Sequence, residues 1–318
     1  MNINFNCPIC KGRVAQVNSQ NLLGLLDSSL YQCLECALMF RTPLPTEEQL
    51  SKYYDKVPSK RYGTKQQLKM ASNQLKWLTG ALVENGLIAE KKFNFIEIGA
   101  GEGWLTKTAE RSDFILSSLG YEADSKSVEW GKSHLGANLV NEYYNFDQSV
   151  EGEDENQKII SLIHVLEHFI DPINFLNCIQ RSKTETFLYI EVPNVVYERD
   201  FLENDVYSWG ASGQHLWSFS PKSLRILFEN LGFKVLKLEV VGNKKFWIPI
   251  TETLKVIRAY DETHQRFRQT GGGNLRIMRS SLKLLLLSTW VAFKNQFRKV
   301  NRADLPSIRV LVVNKSDY

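Results

Sequence analysis

No apolar run in the 318 residues approaches the 18 or more that a membrane-crossing helix needs, so a helical membrane protein is excluded. The opening Met1-Asn2-Ile3-Asn4-Phe5 lacks the basic-then-apolar layout of a secretory leader, and the cytoplasm is the expected compartment. Cysteine is scarce, five in all, which argues against a disulfide-stapled secreted scaffold. There is no convincing internal repeat. Strong net charge is also missing: the formal total is only +4. Its distribution is uneven, because residues 244–318 hold 15 Lys+Arg against 5 Asp+Glu, leaving 24 against 30 elsewhere, and a basic tail on an acidic body suggests an anionic partner for the tail.

Four of the cysteines form two pairs, Cys7-Pro8-Ile9-Cys10 and Cys33-Leu34-Glu35-Cys36, separated by 22 residues. Each pair places two thiolates on one knuckle, and two knuckles close a tetrahedral structural Zn²⁺ site with no open position. Pro8 and Gly12 suit the first knuckle, while Ala37 stands where a glycine often follows the second. Cys178, alone in an apolar helical segment, reads as a packing residue. After this ribbon, residues 43–92 form a helical connector. Thr46-Glu47-Glu48-Gln49 begins one helix, and an apolar pattern through Leu68, Leu75, Leu78 and Leu82 marks a longer one.

The chain is organised around Phe93-Asn94-Phe95-Ile96-Glu97-Ile98-Gly99-Ala100-Gly101-Glu102-Gly103-Trp104. A buried strand ends in three alternate glycines and opens into a helix, the layout of a turn beneath a ligand. Gly99 and Gly101 let the backbone approach, and the amides opening the helix face an anionic group. A nicotinamide-type Gly-x-Gly-x-x-Gly would need glycine at 104, where this chain has Trp104. Glu-x-Gly-x-Gly-x-Gly, on Glu97, Gly99, Gly101 and Gly103, instead resembles motif I of the class I S-adenosylmethionine-dependent methyltransferases. A purely structural strand–helix turn is the plain alternative. Glu122 ends a second strand 19 residues beyond Gly103, the spacing at which a carboxylate meets ribose hydroxyls, with Asp124 its competitor.

Asn138-Leu139-Val140 reads as a third strand and Lys158–Ile163 as a fourth, the latter running into His164-Val165-Leu166-Glu167-His168-Phe169-Ile170-Asp171-Pro172. A His-x3-His pair is by itself a weak metal signal. The whole run is similar to the segment after the fourth strand in the methyltransferase branch that includes zinc-ribbon sugar C-methyltransferases. There it borders the cofactor, which would put His164, Glu167 and His168 at that site and Tyr62, ahead of the domain, over it as a lid. Thr186–Pro193 matches the family's fifth strand. In the similar enzymes a Glu-His pair in the following loop moves a proton; His215 matches the histidine, but Gln214 replaces the glutamate. An amide cannot remove a proton from carbon, whereas one neutral histidine suffices for a hydroxyl.

The resemblance thus implies a Rossmann-like seven-stranded α/β sheet: zinc ribbon 1–42, connector 43–92, and methyltransferase domain 93–318, its last strands at Lys234–Val241 and Ser307–Val313. A basic, apolar helical insertion at about 245–305 could lie on a membrane surface, cover the active site or pack on itself. The expected activity is methyl transfer from S-adenosylmethionine to a hydroxyl of a nucleotide- or lipid-linked sugar, with a carbon acceptor second and His215 as base. The rivals are a zinc-ribbon RNA methyltransferase, disfavoured by the modest charge and the lack of an Asn-Pro-Pro-Tyr signature, and a cofactor-binding protein without turnover.

Overall fold

The computed structural model describes residues 5–22, 26–54, 64–88, 93–144, 156–196, 215–242 and 306–314. Tyr62, Gln214 and the insertion at about 245–305 lie outside them.

Two sheets organise these residues. The large one has seven strands in the order β10-β11-β8-β7-β4-β5-β6: β4 is Phe93–Ile98, β5 Ile115–Tyr121, β6 Leu139–Val140, β7 Lys158–Ile163, β8 Thr186–Pro193, β10 Lys234–Val241 and β11 Ser307–Val313. The five strands from β6 to β8 run parallel, and β11 is antiparallel to both β8 and β10. This is the expected mixed α/β sheet, and its order reverses between β4 and β7, the point at which open sheets of this kind receive ligands.

Alternation along the central strands builds the core on both faces. Phe93 and Phe95 of β4, Phe187 and Tyr189 of β8, and Leu311 and Val313 of β11 face one side. Helix α2 (Thr64–Glu84) covers that side with Ala71, Leu78, Ala81 and Leu82, beside α3 (Trp104–Ala109), which contributes Leu105 and Ala109. The sequence pattern put Leu68 on this apolar face, but it is 46% exposed; the buried stripe begins one turn later, at Ala71. Leu188, Ile190, Val192, Ile308, Val310 and Val312 face the other side, against α5 (Pro172–Gln180) and α6 (Pro221–Asn230). A short α4 (Ser125–Trp130) continues into one π turn, Gly131–Leu135. Helix α1 (Glu47–Tyr54) starts as its sequence suggests: Gln49 N–H donates to Thr46 Oγ1 and Thr46 N–H to Gln49 Oε1.

The small antiparallel sheet has the order β1-β2-β3-β9, with β1 at Val14–Leu22, β2 at Leu26–Cys33, β3 at Met39–Thr42 and β9 at Trp217–Ser218. Its fourth strand comes from the far end of the chain, through Met39 opposite Ser218 and Phe40 opposite Trp217. The knuckles dock on α6: Ser220 Oγ donates to the Cys36 carbonyl at 2.6 Å, Lys222 Nζ to that of Glu35 at 2.7 Å and Asn230 Nδ2 to that of Ile9 at 3.0 Å. Cys7, Cys33, Cys36, Leu38 and Phe40 belong to the same apolar cluster as Leu224 and Phe228, so ribbon and sheet share one core. No helix among the described residues is long and apolar enough to cross a membrane.

Candidate active site

The four Sγ atoms of Cys7, Cys10, Cys33 and Cys36 lie within 4.8 Å of one another, and all four thiols are free. Backbone amides point at them: Gly12 N–H donates to Cys10 Sγ, and the Glu35 and Cys36 amides to Cys33 Sγ, each at 3.4 Å. The residue after each knuckle is left-handed, Lys11 at φ 61 and Ala37 at φ 59, which shows what the missing glycine would have eased. Four thiolates with amide donors fit Zn²⁺ as a closed structural site.

At the carboxyl end of β4 the chain turns through Gly99 (φ 68), Gly101 (φ 56) and Gly103 (φ 77). A Cβ on Gly99 would come within 2.6 Å of Val165 Cγ2, so this glycine permits a tight fit between the turn and the segment after β7. One on Gly101 would meet nothing within 4 Å among the described residues; the turn opens there onto space. Glu122, at the end of β5, accepts from the Gly101 amide and the Asp124 amide, each at 2.8 Å. Asp124 is instead committed to its own helix, accepting from Ser127 N–H and Oγ as the α4 cap. Glu97 lies beneath the turn, 5% exposed, and accepts from the Thr106 amide at 2.8 Å and the Thr106 hydroxyl. Burial pushes its carboxyl up to about 7, the Thr106 bonds opposing and the charge of Glu122 adding. A ligand in the open space beside Gly101 would therefore meet a glycine turn, Glu122 and the start of α3, while Glu97 sits one layer below.

Beyond β7 the polar cluster is compact. His164 takes a left-handed backbone (φ 56), and its ring stands 3.6 Å from both Glu167 Oε1 and Glu191 Oε1. Burial works against its charge, but the two carboxylates outweigh that and raise it to about 10. Glu191 in turn holds Arg309 Nε at 2.8 Å; burial is overcome by His164 and Arg309, and its carboxyl falls to about 2. Glu167 is completely buried, and neither carboxylate oxygen has a hydrogen-bond partner among the described residues. Despite that burial it stays below the ordinary carboxylate range because of His164, with smaller contributions from the neighbouring His168 and His215.

His215 reaches this cluster from 47 residues further along the chain. It is 7% exposed, its ring centroid lies 5.0 Å from that of His168, and its carbonyl accepts from Arg41 Nε at 3.3 Å. Around it the backbone is cross-tied: Leu216 N–H donates to the Glu167 carbonyl, Trp217 Nε1 to that of Phe169, and Arg41 N–H to that of Leu216. Arg41 itself is buried on β3, which lowers its guanidinium to about 10. Sequence reading missed both Arg41 and Glu191. The first is a charge inside an apolar strand, a signal that could have been read; the second lies at the end of Thr186–Pro193, which reads as the family's fifth strand with no role given to this side chain.

Among the residues named from sequence, the structure thus gathers Gly99, Gly101, Gly103 and Glu122 at one turn and His164, Glu167, His168 and His215 at the next strand end. The two groups touch where Val165 meets Gly99.

The family described as methyltransferase domain matches residues 62–238. No curated protein matches the sequence. Similar solved structures include the plantazolicin methyltransferase BamL in complex with a triazolic desmethylPZN analog and SAH, 15% identical, covering 85% of this chain and 92% of that one at a TM-score of 0.46. A SAM dependent methyltransferase from Archaeoglobus fulgidus is 13% identical over 75% and 93% of the two chains, with a TM-score of 0.42. The complex of the Haloferax volcanii Trm112 methyltransferase activator with a methyltransferase gives 12%, 79%, 94% and 0.45. At such identities the likeness is one of fold and says nothing of an acceptor.

Proposed function

We propose, for a chain that belongs to the methyltransferase-domain family and is an S-adenosylmethionine-dependent methyltransferase, that the methyl group goes to a hydroxyl of a small sugar-type acceptor, nucleotide- or lipid-linked. The observation that carries the reading is the seating of buried His215 beside Glu167 and His168, on the segment after β7 whose Val165 packs against Gly99 of the glycine turn.

The cofactor supplies a sulfonium-bound methyl group. Around it the chain has three tasks. The glycine turn and the first amides of α3 hold the amino-acid end, and Glu122 exchanges the Gly101 and Asp124 amides for the ribose hydroxyls. Glu97 keeps α3 in place through Thr106, so its part in cofactor binding is indirect. Tyr62, outside the described residues, is the lid proposed from sequence. With the cofactor bound, methyl transfer to the acceptor oxygen would release the hydroxyl proton, and the imidazole of His215 would take it. Positioning supplies most of the rate. With its charge balanced by Glu167 and Glu191, His164 is a fixed cation and a poor base, which leaves that task to His215.

Two features support the acceptor class. Gln214 in place of a glutamate disfavours abstraction from carbon, and the basic 244–318 segment suits a phosphate-bearing substrate. The four-cysteine site is proposed to hold structural zinc. The test incubates the full chain with S-adenosylmethionine and panels of nucleotide- and lipid-linked sugars, with mass spectrometry locating the added methyl. An O-methylated sugar, with turnover down about 10²-fold or more in His215→Ala, supports the reading. A C-methyl product or full turnover in that variant rejects it.

A further inference from the structure

We infer that Glu167, His168 and His215 form a second metal site, an open one, which takes a divalent first-row transition ion and presents it to the acceptor hydroxyl. As a statement about the acceptor this rests on the hydroxyl acceptor proposed above and replaces His215 as its base; as a statement about a metal it rests on geometry alone.

One donor atom from each residue lies within 4.8 Å of those of the other two. The carboxylate is fully buried and has no hydrogen bond at either oxygen among the described residues. An ionised group in that condition is costly unless enough positive charge sits against it, and the cation beside it, His164, is shared with Glu191. The imidazole nitrogens of His164 and His168 are too far for hydrogen bonds: His164 Nδ1 stands 3.6 Å and His168 Nε2 4.0 Å from Oε1. A gap of 4.0 Å is about the sum of two ~2.1 Å metal–ligand bonds, so an ion between Glu167 and His168 needs little movement of either. The scaffold is also held in advance. Leu216 N–H on the Glu167 carbonyl and Trp217 Nε1 on the Phe169 carbonyl tie the two loops that carry the three donors.

Two imidazoles and one carboxylate favour zinc, manganese, iron or cobalt over magnesium or calcium. Three protein ligands leave positions open, in contrast with the closed four-thiolate site. The His168 side chain keeps 27% of its surface exposed, so this is the side from which ligand exchange occurs. His164, against Glu167 and outside the trio, orients the carboxylate as an outer partner does. An acceptor hydroxyl on an open position would be acidified by the ion and release its proton to water. His215 is then a ligand, since a nitrogen bound to metal has no lone pair for a proton.

Cobalt(II) separates the two sites by colour. After mild chelation that leaves the thiolate-held zinc, the full-length protein is titrated with Co²⁺, absorbance and metal content being followed. One further equivalent per chain is expected, with weak visible bands typical of nitrogen and oxygen ligands and no sulfur charge-transfer band. Glu167→Gln and His168→Gln should each weaken it by at least ~100-fold, the upper end of what losing even an outer partner costs. Should Glu167→Gln misfold by circular dichroism, His168→Gln, at the partly exposed side of the site, decides. No second equivalent, or one indifferent to both changes, overturns the site. Because no methyl transfer enters the readout, a failed product search with the cobalt band intact counts against the acceptor and for the ion.

Discussion

At the scale of single residues, two glycines of one turn do different work, and substitution separates them. Alanine at Gly101 costs only the left-handed backbone, about 1 kcal/mol, because its Cβ enters open space. At Gly99 the same backbone penalty is joined by a Cβ 2.6 Å from Val165 Cγ2, so thermal or urea unfolding should show a clearly larger loss, roughly 2–3 kcal/mol. The Gly101 change should instead register in cofactor affinity, where its methyl group occupies the ligand's side of the turn. Glu97 gives a pH test. Its carboxyl rises from the ordinary 4.5 to about 7, so folding takes up a proton between those values. The resulting stability is complete below about pH 4.5 and is lost as pH rises through 7. Glu97→Gln keeps an oxygen for the Thr106 amide and removes that titration, so its melting temperature should vary less than that of wild type over the interval. An identical pH profile would mean that Glu97 does not titrate there.

At the scale of elements, most strands could be read because alternation, turn residues and buried runs are local signals: β8, β10 and β11 fall at the residues expected. The cysteine knuckles were equally legible, four residues each. What could not be read is long-range. Strand β9 is two residues long and has no pattern of its own; it exists because β3 offers it an edge. Glu167 meets His215 because that pairing brings Leu216 back onto the single 3₁₀ turn at Leu166–His168. Leu68 was misplaced because a helical apolar pattern does not say where the helix leaves its sheet. The β3–β9 contact also predicts a role for the ribbon. Cys36→Ala, or stripping the metal with a strong thiol-competing chelator, should loosen β3, free His215 and abolish turnover, while calorimetry still finds cofactor binding. The glycine turn and Glu122 have no contact with the knuckles in any hydrogen bond described. Loss of both together would indicate that the ribbon is needed for the whole fold.

At the scale of the whole molecule, the order β10-β11-β8-β7-β4-β5-β6 sets the two reactive groups on neighbouring strand ends, and the family match over residues 62–238 contains both. The acidic body and basic 244–318 segment make a further prediction about the acceptor. Raising salt toward 1 M, where charges are screened beyond about 3 Å, should raise KM for a phosphate-linked sugar several-fold and leave kcat unchanged; a phosphate-free analogue should show no such dependence. The central claim is that cofactor and proton transfer are divided between the β5 end and the β7 end of one sheet. Titration calorimetry with S-adenosylmethionine on wild type, Glu122→Ala and His215→Gln tests it most directly. The account predicts that His215→Gln binds as wild type does, while Glu122→Ala binds at least ~10-fold more weakly, the loss of hydrogen bonds to a charged carboxylate. Wild-type affinity in Glu122→Ala, or a comparable loss in His215→Gln, would contradict it.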